Sequence, residues 1–241
     1  MRKALILAST FLIAACNMAA DAQEGDSRDP GPKAQRSYDL AGFDSVSLAG
    51  PHDVVVRVGS AHSVRAEGGS KVLDALEIKV DGRNLEIGMK RGTWRFRNEP
   101  RTVIHVTMPA IRAAAIAGSG DMRIDRAEGQ EFSASIGGSG NIDVAALRTG
   151  EANFSIAGSG DIRAAGKATR TKVSIAGSGD VDIAAVEARN SNVSIVGSGN
   201  VRSRAMESAE VSIMGSGDVE ISGSAKCTVS KMGSGGVRCG G

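Results

Sequence analysis

The sequence is poor in aromatic residues, histidine, proline and net charge, and each shortage narrows what the chain can be. Aromatics make up 3% of 241 residues, with a single Trp and a single Tyr. An interior built almost without rings suits a narrow stack of aliphatic side chains better than the broad core of a globular sandwich. The three histidines, His52, His62 and His105, are scattered, with no Cys, Asp or Glu at ligand spacing. They are expected at surface or edge positions, and neither a metal centre nor a cofactor is expected. There are five prolines and none follows Pro109, as expected where every backbone N–H joins a ladder. The formal charge of +2 rests on Arg2 and Lys3, without which 27 basic residues face 27 acidic ones. A neutral chain has no global pull toward nucleic acid, and no nucleic-acid partner is expected.

Glycine, by contrast, is abundant at 32 residues. Gly-Ser-Gly begins at Gly118, Gly138, Gly158, Gly177, Gly197, Gly215 and Gly233, at spacings of 20, 20, 19, 20, 18 and 18 residues. Self-similarity at a fixed period near ~20 residues is the signature of a solenoid. Two residues before each motif stand Ile116, Ile136, Ile156, Ile175, Ile195, Ile213 and finally Lys231. The residue before these is Ser in six of the seven repeats, and an apolar residue precedes it. After the turn, Met122, Ile142, Ile162, Val181, Val201, Val219 and Val237 restart the inward row. Period two places one side of each run inward and the other outward. Each coil therefore reads as a strand, a Gly-Ser-Gly corner, a second strand and a looser return of about seven residues. The Asp or Asn after each corner is expected to bond the turn's own backbone.

One row tests that register. Two positions past each Asp or Asn, and past Gly236 in the last repeat, come Arg123, Asp143, Arg163, Asp182, Arg202, Glu220 and Arg238, alternating in sign without a slip. Stacked coils bring equivalent residues to about 4.8 Å, where opposite charges support the pairing and like charges oppose it. Two motifs per coil would stack Arg on Arg, so one motif per coil is expected. In the last repeat Lys231 takes the Ile position, and a charge pointing inward at an open edge discourages end-to-end pairing. Cys227 and Cys239 fall on inward frames of the two strands of this repeat. In an exported chain they are expected to form a disulfide, with two buried thiols as the alternative.

The first half is less regular. Short strands are expected around Ser45–Leu48, Val54–Val58, Ser63–Ala66, Glu77–Val80, Asn84–Ile87 and Val103–Thr107, with one helical turn at Lys71–Leu76. Residues 46–54 run in frame with 173–181, and 81–87 with 215–221. The whole of 38–241 is therefore read as one all-β, parallel β-solenoid domain, irregular over 38–110 and regular over 111–241, with about 19 residues per coil. Ahead of it, residues 1–15 carry the basic start and apolar run of an export signal, and 16–37 read as a flexible tether. Ile13-Ala14-Ala15-Cys16 resembles the bacterial lipobox, which implies lipid attachment at Cys16 and an outer-membrane lipoprotein facing the periplasm or the surface. The alternative is cleavage after Ala20-Asp21-Ala22 and a soluble periplasmic protein.

The repeat, the strand-rich segment before it and the lipobox together resemble the bacterial "putative auto-transporter adhesin, head GIN domain" family over roughly residues 38–241. The resemblance implies a β-helix like that of pectin lyases without their catalytic residues, and a role in adhesion. No translocator barrel follows within the 241 residues, so a periplasm-facing protein is expected as readily as a surface-facing one. The Asp/Asn turn row lacks the nine-residue spacing of calcium β-rolls, and turn capping is preferred for it. The favoured binding segment is Lys90–Arg101, where Lys90, Arg91, Arg95 and Arg97 flank Trp94. A ring among guanidinium groups suits a sugar face or an anionic glycan; the plain alternative is a hairpin whose Trp94 packs back on the first coils. The expectation is a non-enzymatic, membrane-anchored adhesion or binding module for an envelope glycan or cell-surface ligand. The alternatives are a structural or stress-related envelope protein without external ligand and, less favoured, a polysaccharide-acting enzyme.

Overall fold

A computed structural model describes residues 29–92 and 102–240. In chain order the elements are β1 (Lys33–Tyr38), β2 (Ser45–Gly50), β3 (Asp53–Val58), β4 (Ser63–Gly69), α1 (Ser70–Ala75), β5 (Leu76–Asp81), β6 (Asn84–Met89), β7 (Val103–Met108), β8 (Ala113–Gly118) and β9 (Met122–Ile124). They continue with β10 (Ala127–Gly138), β11 (Ile142–Gly158), β12 (Ile162–Gly177), β13 (Val181–Gly197), β14 (Val201–Gly215), β15 (Val219–Ser222), β16 (Lys226–Met232) and β17 (Val237–Cys239). The chain forms a parallel β-solenoid in which each regular coil is one long bent strand interrupted at its Gly-Ser-Gly corner. Gly138 pairs with Gly158, Gly158 with Gly177, Gly177 with Gly197, and Gly197 with Gly215. One motif per coil is the observed geometry.

The segment expected to be a loose return is instead laddered: Arg148, Lys167 and Glu187 stand in register, with bulges absorbing the differences in coil length. That third face closes the tube and supplies Ala127, Leu147, Val186 and Ala205 to the core. The interior is a set of stacked rows. Ile116 lies in register with Ile136, and the row continues through Ile156, Ile175, Ile195 and Ile213, all buried. Large and small residues trade places between coils: Phe132 stacks on Ala152 while Ala134 stacks on Phe154, which fills the lumen without widening it. Three hydroxyls inside the coils bond one another, with Thr171 Oγ1 donating to Ser191 Oγ at 3.1 Å and Ser191 Oγ 3.0 Å from Ser203 Oγ.

The irregular first half joins the same stack. β2 lies between β6 and β8, with Leu48 beside both Ile87 and Ile116 and Gly50 beside Gly118. Gly50 shares the positive φ of the later corners. β3 is sandwiched between β7 and β9. Antiparallel strands then finish this end: β4 on β7, β1 on β4, and β5 on β6. α1 buries Val72, Leu73 and Ala75 and carries the chain from β4 to β5.

Two expectations are corrected here. Lys33–Tyr38 is a strand paired to Val64–Gly69, so the folded part begins inside the stretch expected to be a tether. Residues 81–87 do not match 215–221 in space. Asp81–Asn84 closes a hairpin, with Gly82 at φ +59°, and Leu85 stacks on Val46 before the corner rather than on a strand after it. The two stretches share a pattern of alternation, which specifies a face but not a row.

The corner explains the glycines. Gly177 sits at φ +139°, a region closed to L side chains, and a Cβ on Gly179 would overlap the Gly160 carbonyl. Gly177→Ala and Gly179→Val should each lower stability by about 3 kcal/mol or more, read as a drop in urea midpoint with the far-UV β signal retained at low temperature.

Candidate functional site

The corner's polar residues work between coils rather than within the turn. The amides of Ser139, Ser159, Ser178, Ser198 and Ser216 donate to the first Gly carbonyl of the coil before, at 2.8–2.9 Å. With those turn amides already engaged, the Asp and Asn side chains turn to the next coil. Asp121 Oδ1 accepts from the Asn141 amide at 3.1 Å, Asn141 Oδ1 from Asp161 at 3.2 Å, and Asp161 Oδ1 from Asp180 at 3.2 Å. The ladder goes on from Asp180 to Asn200 at 2.8 Å, Asn200 to Asp218 at 3.0 Å, and Asp218 to Gly236 at 2.6 Å. This corrects the expectation that each side chain caps its own turn. Asn and Asp both serve because each offers an Oδ1 to the next amide, and the Asn side chains also donate from Nδ2 to the preceding Asp Oδ1, Asn141 to Asp121 at 2.8 Å and Asn200 to Asp180 at 3.0 Å.

The strand after each corner carries the charge row on its outer face. Arg123 is in register with Asp143, Asp143 with Arg163, Arg163 with Asp182, Asp182 with Arg202, Arg202 with Glu220 and Glu220 with Arg238. Arg202 Nη2 reaches Asp182 Oδ2 at 2.7 Å, whereas Arg163 Nη2 turns to Asp161 at 3.3 Å. Each exposed pair is worth only about 0.2–1 kcal/mol, so the row sets register more than it adds stability. Two clefts share Asp182 on this face. One of about 510 Å³ runs from Val55 past Ala145 and Ala165, and one of about 570 Å³ lies between Asp180 and Arg238. The face thus offers guanidinium, carboxylate and amide groups at the fixed spacing of the coils.

The favoured sequence segment leaves from the other end of the molecule. Residues 90–102 link β6 to β7 where Ser119–Asp121 alone link β8 to β9. Lys90 is exposed, its amide donating to the Ala75 carbonyl at 2.9 Å and its Nζ to the Asp74 carbonyl at 2.6 Å. Arg91 is exposed beside it. Trp94, Arg95 and Arg97 lie outside the described residues, as do Cys16 and residues 1–15, where an export signal is expected.

Titratable groups that are buried serve structure. The Asp44 carboxylate, 7% exposed, accepts from Arg83 at 2.7 and 3.0 Å and pairs with Arg112 at 3.3 Å. The Arg83 hydrogen bonds hold its pKa below the usual carboxylate value despite burial. His52 is buried where a surface or edge position was expected, and its Nε2 lies 3.2 Å from Met89 Sδ. Burial lowers its pKa against the opposing pull of Asp53. His62 sits edge-on to Phe43 and bonds its carbonyl at 2.9 Å. Among the described residues no three His, Cys, Asp or Glu side chains are placed to hold a metal ion. Cys227 and Cys239 are joined by a disulfide with Cα atoms 6.5 Å apart, linking β16 to β17.

One surface feature was not read from the sequence. The position before each corner glycine runs Ala117, Gly137, Ala157, Ala176, Val196, Met214 and Met232 in register. The last three of these are 54%, 56% and 69% exposed. The drift from Ala to Met along one repeat position was the available signal.

The geometry defines a single-domain, all-β parallel solenoid with a patterned outer face. The chain belongs to the family described as "Putative auto-transporter adhesin, head GIN domain", whose model matches residues 42–225. No curated protein sequence matches it. A putative adhesin from Bacteroides fragilis is similar in fold, with 20% identity and a TM-score of 0.80 over 88% of this chain and 98% of that one. A putative lipid binding protein from Parabacteroides distasonis has 22% identity and a TM-score of 0.69, covering 86% and 96%. A putative adhesin from Parabacteroides merdae has 18% identity and a TM-score of 0.66, covering 88% and 97%.

Two outcomes follow from these contacts. Arg202→Asp places one acid between Asp182 and Glu220 and should cost about 1 kcal/mol in low salt. Melts repeated in high salt should show the loss shrink. His52 has a folded pKa below its unfolded one, so the unfolded state takes up the proton first as pH falls. Stability should therefore decline as pH drops below about 6.5, and thermal melts of His52→Gln should show a smaller decline over the same window.

Proposed function

We propose that this chain is a non-catalytic adhesion module of the bacterial cell envelope, attached through a lipid on Cys16 to the outer membrane. The observation that carries the binding reading is the outer face of the post-corner strands. Polar side chains recur there at every coil along two shared clefts, a layout suited to a long or repetitive ligand. The buried Asp44 and His52 support the non-catalytic side of the reading. One is saturated by two guanidinium groups and the other packs beside a thioether, so neither is poised as a general acid or base facing a cleft. The family description supports adhesion as the class of activity.

The Lys90–Arg101 segment is the proposed contact for glycan. In sequence, more residues separate β6 from β7 than the three that separate β8 from β9, and they include five cations and the sole Trp. Segments that connect strands of a rigid scaffold often hold binding residues, and a sequence rich in Arg around a Trp has the chemistry to take sugar carboxylates.

Two measurements test this reading. The mature protein should bind purified envelope polysaccharide, and Trp94→Ala should weaken binding at least about tenfold with an unchanged melt. Equal binding by the variant would remove the loop from the site, and no binding to any envelope polymer would overturn the module. In cells, Cys16→Ser should release the protein from the membrane fraction, and retention there would overturn lipid anchoring.

A further inference from the structure

The two ends of the solenoid are finished differently. At the first end α1 tucks Val72, Leu73 and Ala75 into the core, and antiparallel β1 and β5 form the borders. At the last, among the described residues, β16 pairs only with β14 and β17 only with β15, and no helix packs there. The row of main-chain donors and acceptors on the outer side of β16 is open.

Side chains around that edge carry a consistent chemistry. Val229 continues the inward row above buried Val211, yet is 46% exposed. Met232 stands beside it on the outward row, stacked on Met214. Residues 221–241 contain Lys226, Lys231 and Arg238 and no acid. The alternating row reaches Arg238 on β17, the strand that the disulfide ties to β16. Lys231 occupies the Ile position over Ile213, a cation at the mouth of an apolar lumen.

We propose that the β16 edge, Lys226–Met232, is a docking site for an extended, acid-bearing strand of a partner protein, which adds to the sheet as the next rung. Main-chain bonds to β16 would supply affinity, while an apolar residue over Val229 and an acid over Lys231 would supply selection. The same cations decide against self-association. Two such ends face to face would oppose six positive charges, and like charges across an interface are costly. Lys231 thus bars a second copy and admits an acidic strand. An anionic membrane would satisfy Met232 and the lysines but not the open main-chain groups, which hydrocarbon leaves unpaired. The Cys227–Cys239 disulfide fixes β16 to β17 before any partner arrives, which lowers the ordering cost of docking. The site is built from residues other than Lys90–Arg101 and does not rest on glycan binding.

The test uses the full chain and a nine-residue extended peptide with valine and glutamate two positions apart, to lie over Val229 and Lys231, against the same peptide with lysine for glutamate. Calorimetry should show binding of the acidic peptide alone, with amide exchange slowed at residues 226–232. Lys231→Glu, with an unchanged melt, should weaken that binding about tenfold or more and admit the lysine peptide. Trp94→Ala should leave it intact. The proposal is overturned if neither peptide binds, if exchange at 226–232 stays the same, or if Lys231→Glu has no effect. Association of the protein with itself, or with phosphatidylglycerol vesicles in place of the acidic peptide, would also overturn it.

Discussion

The rest of this structure depends on one hydrogen-bonded contact, the seat of each corner on the corner before it. A glycine carbonyl takes the serine amide of the next coil, and an Asp or Asn Oδ1 takes the next Asp or Asn amide. The two backbones approach so closely that no Cβ fits at either glycine. Residue choice follows from that distance. From Gly118 onward the flanking positions are glycine, the fourth is Asp or Asn in every corner but the last, and every coil begins and ends at the same corner. Once the corners are superposed, the strands on both sides fall into register and the isoleucine row closes into a core.

The outer face inherits its order from the same constraint. Charges that lie two residues past a fixed corner can only stack on one another, so Arg over Asp is favourable and Arg over Arg is not. The alternation from Arg123 to Arg238 is a second register device, weaker than the backbone ladder but sensitive to a one-coil error that the apolar rows would tolerate. The ends escape this regularity, since a terminal strand has a neighbour on one side only. The first end meets that problem with α1 and antiparallel strands braced by Asp44, Arg83 and Arg112. The last carries a disulfide, a lysine in the core row and a ridge of methionine.

Much of the molecule was legible before the structure. The short strands of 45–108 stood where period-two alternation put them, and the turn at Lys71–Leu76 is α1. One motif per coil and the charge stack came directly from spacing. Other features were hidden for physical reasons. Leu85-Glu86-Ile87 alternates like Val219-Glu220-Ile221, yet stacks before the corner because a hairpin at Gly82 reverses the chain. His52 stands alone in sequence, and its burial is set by Met89, 37 residues away. The acceptor role of the Asp/Asn row changed from turn to neighbour because the serine amides were already taken.

By itself, the sequence determined the period, the corner chemistry, the inward and outward faces and the order of charges. All of these are local or repeat at a constant interval, and a constant interval becomes a stacking distance without further information. Only the tertiary structure decided which antiparallel strands border the first end, where the polar side chains of the corner bond, and which apolar residues stay exposed at the last coils. Those outcomes turn on pairings between segments with no fixed spacing, and on whether a strand has one neighbour or two.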